Sequence, residues 1–149
     1  MQKQDWLLVY LSLPSKSKMD LIDPIRIMKG LFLFKMEFKE VLEDFYDYKP
    51  YFYGPCSFEI YKDLLSLQLE GLVDSYSQPL SRWSYYRLTE KGQERASILI
   101  KDVSLELLAQ LKVIKRKVTS LSFLDLLKEI YKKYPEYAQN TMIRFGGIL

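Results

Sequence analysis

The sequence predicts an α+β fold, mostly helical, organised around one helix that runs straight into a two-stranded hairpin. Three observations carry this. Ser57 to Glu70 places Ile60, Tyr61, Leu64 and Leu67 at helical spacing. Gly71 follows, a residue able to take the left-handed backbone that stops a helix. Leu72–Tyr76 and Trp83–Leu88 then read as two short strands, joined by the polar, proline-containing stretch Ser77–Arg82.

The remaining elements follow in order. Trp6, Leu7, Val9, Tyr10 and Leu13 fit one face of a short helix, and Pro14–Lys18 is a polar loop. Asp23-Pro24 is a helix start, because Asp caps and Pro is tolerated at the first helical position. Ile25, Met28, Leu31 and Phe32 continue it, and the all-apolar run Leu31–Phe34 predicts burial on more than one face. Glu37 to Phe45 reads as a second short helix or an irregular extension. Phe45 to Tyr53 is densely aromatic, and Pro50 argues against a central strand there. Gly54-Pro55 is a turn signal, with Ser57 as the expected N-cap of the organising helix and Glu59 favourable in its first turn. Thr89, Ser104 and Ser122 are the expected caps of three later helices, the last with Asp125 in the manner of a capping box. Pro135 ends that helix, Asn140-Thr141 opens a last turn, and the Gly146-Gly147 tail is expected to fray. The chain divides into a domain over residues 1–102 and a helical extension over 103–149, which either packs on that domain or forms a dimer interface.

Composition narrows the function. The 149 residues are 48% hydrophobic and include twelve tyrosines, enough for a substantial core with many half-polar aromatic surfaces. There is no histidine, which removes the commonest general base and metal ligand. The single cysteine, Cys56, excludes an internal disulfide and a cysteine zinc site, and a reducing cytoplasm is the simple reading. Cys56 itself reads as a structural thiol. No apolar stretch approaches the ~20 residues of a membrane span. No phosphate-binding loop or catalytic constellation is visible, so neither an enzyme nor a cofactor is expected.

Charge is uneven. Residues 1–100 carry 13 Lys/Arg against 14 Asp/Glu, whereas residues 101–149 carry 9 against 5. The basic excess lies in the later helices, where Lys112, Lys115 and Arg116 are expected to share one face able to meet phosphate.

The phrase Leu-x-x-Leu-x-x-x-Gly-Leu-Val ending at Val73 resembles the third helix of winged helix-turn-helix domains running into the wing, and Tyr86-Arg87-Leu88-Thr89-Glu90-Lys91-Gly92 is similar to the phrase that follows the second wing strand. Together with Asp23–Leu33, Tyr51–Ser57 and Tyr131–Tyr137, these segments resemble the YwgA-like winged-helix proteins over most of residues 5–137, and more distantly antitoxin domains of the Panacea type. The resemblance implies a winged-helix DNA-binding protein, a transcriptional regulator working as a homodimer on double-stranded DNA. Its candidate contacts are Ser57, Lys62 and Ser66 on the organising helix, Arg82 and Arg87 of the hairpin, Lys91, and Lys112, Lys115 and Arg116. The alternative is a protein-interaction module, antitoxin-like or adapter, on the same scaffold. It is kept because Ser57–Glu70 carries Lys62 against Glu59, Asp63 and Glu70, and acidic groups repel the phosphate backbone. The aromatic run could stack on bases, but it is nearly devoid of basic residues, which favours packing.

Overall fold

The computed structural model describes residues 1–15, 20–80 and 82–143. Six helices and two separate two-stranded antiparallel sheets make an α+β fold. The helices are α1 (Lys3–Ser12), α2 (Pro24–Phe38), α3 (Phe58–Leu69), α4 (Glu90–Ile100), α5 (Leu105–Ser120) and α6 (Phe123–Lys133), with a 3-10 turn at Pro135–Ala138. The strands are β1 (Lys49–Tyr51), β2 (Gly54–Cys56), β3 (Val73–Ser77) and β4 (Ser84–Leu88).

α1 and α2 are the most deeply buried helices. α1 differs from the one-faced helix its sequence suggests: Trp6 through Leu11 are all buried, because α4, β4, α2 and α5 surround it. In α2, Ile27, Leu31, Phe32 and Phe34 are fully buried, as the apolar run predicts. The cap on α2 forms as expected, with the Asp23 carboxylate accepting the Arg26 N–H at 3.0 Å. α2 ends at Phe38, and residues 39–48 are irregular rather than a second helix.

The aromatic run folds back on itself. β1 and β2 pair with Pro50 opposite Pro55, so neither proline is asked for a ladder N–H that it lacks. The turn lies at Phe52-Tyr53, one step before the Gly54-Pro55 position expected for it, and Gly54-Pro55 belongs to a strand. Side-chain rings knit this hairpin to the helices: Phe32 meets Tyr48, Tyr134 and Tyr137, and Tyr51 meets Phe58 edge-on at 4.9 Å.

α3 turns its Ile60, Leu64 and Leu67 into the core. Gly71, at φ 76, ends it, and β3 pairs with β4 in register Val73↔Leu88 to Ser77↔Ser84. Ile22, just before α2, exchanges two backbone hydrogen bonds with Tyr86 and adds a one-residue rung to that sheet. The caps at Thr89, Ser104 and Ser122 all form with their side-chain oxygens accepting an N–H three residues on.

Residues 104–138 pack on the rest. α5 lies along α2, and α6 and the 3-10 turn cover the β1–β2 hairpin. Arg26 stitches the contact by donating to the carbonyls of Val118 (3.1 Å) and Leu121 (2.7 Å) while paired with Asp23. Pro135 opens the 3-10 turn, and Asn140 and Thr141 follow it as turn and coil. The expected fraying at Gly146-Gly147 and the loop residues 16–18 lie outside the described residues.

Candidate functional site

α3 has two outer surfaces of different character. Its acidic side is fastened down: Glu59 is paired with Lys3 of α1, and Asp63 accepts the Tyr46 hydroxyl at 2.6 Å and the Gln4 amide at 3.1 Å. Tyr46 is fully buried, so this hydrogen bond anchors the middle of α3 from below. Much of the helix's negative charge is therefore spent on holding the helix in place.

The other surface faces outward and is apolar. Phe58, Tyr61, Leu65 and Leu69 recur at helical spacing and all are exposed, Leu69 to 82%. They continue onto the tip of the β1–β2 hairpin, where Phe52 and Tyr53 are also exposed. Exposed apolar side chains gathered on one helix face, rather than scattered, mark an interaction surface.

The expected contact residues divide into three groups. Lys62 and Ser66 lie exposed on α3 beside the apolar stripe, and Arg82, Arg87 and Lys91 are exposed on and after the hairpin. Two of these have structural partners as well: Arg87 lies over the Tyr76 ring and donates to its hydroxyl at 2.8 Å, and Lys91 donates to the Glu70 carbonyl at the end of α3. Lys112 and Arg116 are exposed on α5.

Ser57 and Lys115 are placed elsewhere than expected. Ser57 occupies the N-cap position but is 4% exposed, and its side chain makes no capping hydrogen bond. Lys115 is 2% exposed and does not share a solvent face with Lys112 and Arg116. Its ammonium donates to the carbonyls of Tyr10 (2.8 Å), Leu11 (3.0 Å) and Leu13 (2.6 Å), satisfying the last carbonyls of α1 and the residue after it. Burial pushes this ammonium down to about 7. Lys115 is a core strut, and no phosphate reaches it.

No protein-family model matches the chain, and no curated protein sequence matches it.

Beside the apolar stripe lies a cleft of about 400 Å³, framed by α2, the β1–β2 hairpin, the start of α3 and Trp83. Among the described residues its charged lining residue is Lys29, which interrupts the apolar run of α2 with Ile25 a turn before it and Phe32 a turn after, a spacing that marks it as buried although its charge suggests solvent. Lys29 is 3% exposed, and burial pushes its ammonium down to about 8, against the opposing pull of Cys56 and Asp23. Burial raises the neighbouring Cys56 thiol, and its sulfur lies 3.5 Å from Met28 Sδ. An activated thiolate requires the opposite shift. Among the described residues no three Cys, Asp or Glu side chains gather into a metal site, and no helix is long and apolar enough to cross a membrane.

Proposed function

We propose that this chain is a winged-helix protein-interaction module of the YwgA-like kind, working in the reducing cytoplasm, with the outward face of α3 holding another protein. α2 and α3 are the helix pair, and β3–β4, with Ile22 as its extra rung, is the wing. The single observation behind the reading is the exposed stripe Phe58, Tyr61, Leu65 and Leu69. A helix that reads bases offers cationic and amide groups to the groove edges. α3 offers leucine and aromatic rings there, the residue types that anchor protein interfaces when aromatic and stripped of water.

DNA binding is the second reading. It is favoured by the exposure of Lys62, Ser66, Arg82, Arg87 and Lys91 on α3, the hairpin and the turn after it. Lys112 and Arg116 would add to it from α5. The two readings differ in salt response, since phosphate contacts weaken steeply with salt.

A photoactivatable phenylalanine analogue at Leu65, with one at Lys132 as control, separates them in cells. The expected result is a discrete protein adduct at Leu65 alone that survives a high-salt wash. An adduct of the chain's own mass doubled identifies a second copy as the partner. Nuclease-sensitive adducts, or none at Leu65, would overturn the protein reading.

A further inference from the structure

The cleft beside α3 has a floor and a rim of different character. Met28 and Lys29 are nearly sealed, at 2% and 3% exposure, whereas Phe52, Tyr53 and Phe58 stand half-open around them. About 400 Å³ falls within the range of small-molecule sites. Lys29 is the charged member of a lining otherwise made of aromatic rings, Ile25, Met28, Gly54 and Cys56, and no acidic residue is part of it.

Lys29 is the anomaly. Lys115, the other buried lysine among the described residues, donates to three carbonyls. Lys29 has neither a hydrogen bond nor an ion pair among the described residues. A buried cation is ordinarily paired. Among the described residues, no side-chain nitrogen or oxygen sealed from solvent lacks a partner. The Lys29 ammonium therefore keeps an opening, and the cleft is the space it lines. Asp23 is near enough to favour the charge but is itself paired with Arg26, so an amine at the floor of a ring-lined cleft with no carboxylate of its own has the form of a half-completed ion pair.

We propose that this cleft binds a small aromatic carboxylate, its ring among Tyr53, Phe58 and Trp83 and its carboxylate paired with the Lys29 ammonium. The rings supply area and edge-to-face contact, and the ammonium supplies orientation and the preference for an anion. The cleft shares Phe58 and Tyr61 with the α3 stripe, and it is tested on the isolated chain, so its failure and that of the protein reading are distinguishable.

Calorimetry with 2-naphthoate and its neutral isostere 2-naphthamide tests this, together with nuclear Overhauser contacts from bound naphthoate. The expected result is naphthoate binding roughly tenfold or more tighter than the amide, contacts to the Trp83 indole and the Met28 methyl, and loss of the preference in Lys29→Met. Equal affinities, no binding of either compound, contacts elsewhere, or a preference that survives Lys29→Met would overturn it. Should Lys29→Met fail to fold, the affinity ratio and the contacts in the unaltered protein decide alone.

Discussion

The Tyr10 hydroxyl occupies the space that a side chain at Gly30 would need: a Cβ built on Gly30 would lie 1.9 Å from that oxygen. The hydroxyl donates to the Arg26 carbonyl at 2.8 Å, so it cannot swing aside without stranding a buried polar group. Gly30→Ala should therefore destabilise the protein by about 2 kcal/mol through overpacking. Helix propensity alone predicts the opposite sign, a gain of up to about 1 kcal/mol. Urea unfolding monitored by circular dichroism distinguishes the two, and a stabilised variant would show that α1 and α2 have room to separate.

Lys115 and its neighbours on α5 should behave in opposite ways. Lys115→Met removes the donor to three carbonyls and should cost about 3 kcal/mol or more. Lys112→Ala and Arg116→Ala, both exposed, should stay within about 0.5 kcal/mol of the parent. Thermal melts of the three variants check this. Equal, small losses would place Lys115 back at the surface.

Lys29 should make stability depend on pH. Its ordinary value is 10.5 and burial lowers it to about 8. Between those values the unfolded chain still holds the proton that the folded chain has released, so stability rises with pH across that window. Relative to Lys29→Met, the gain should reach about 3 kcal/mol and be flat below pH 8. Paired denaturation curves from pH 7 to 10.5 measure it. A difference that does not change with pH would mean that the amine meets water freely.

The α3 stripe should be dispensable for folding. Leu65→Ser and Leu69→Ser alter side chains that are 57% and 82% exposed, and each should change stability by no more than about 0.5 kcal/mol. Binding of a hydrophobic dye to the native protein should fall in the double variant. A large loss of stability would mean that the stripe packs against the chain itself.

Much of the fold was legible because local chemistry decided it. Asp23, Thr89, Ser104 and Ser122 cap where side-chain oxygens and free N–H groups can meet within one turn, and Gly71 stops α3 by backbone sterics alone. The β3–β4 hairpin lies within a residue of its expected bounds. What escaped depends on distant partners. Lys115 has Leu111 a turn before it and Val118 a turn after, so helical spacing puts it on the buried stripe, while its positive charge points to solvent. Only the carbonyls at the end of α1, about a hundred residues earlier, account for it. Lys29 was hidden by the same bias. The aromatic hairpin escaped because its turn carries Phe52-Tyr53 and no residue of the usual turn kind, while Gly54 and Pro55 stand one step beyond. Likewise the apolar outer stripe of α3 is invisible in a pattern that counts apolar spacing without knowing which face the core takes.

Consider the chain as it leaves the ribosome. When the first hundred residues have emerged, the amine that closes the last carbonyls of α1 has not yet been made. The Lys115 strut and the Arg26 stitch are both completed only by the final third. A chain cut before residue 115 would lack the donor that these carbonyls meet in the complete fold.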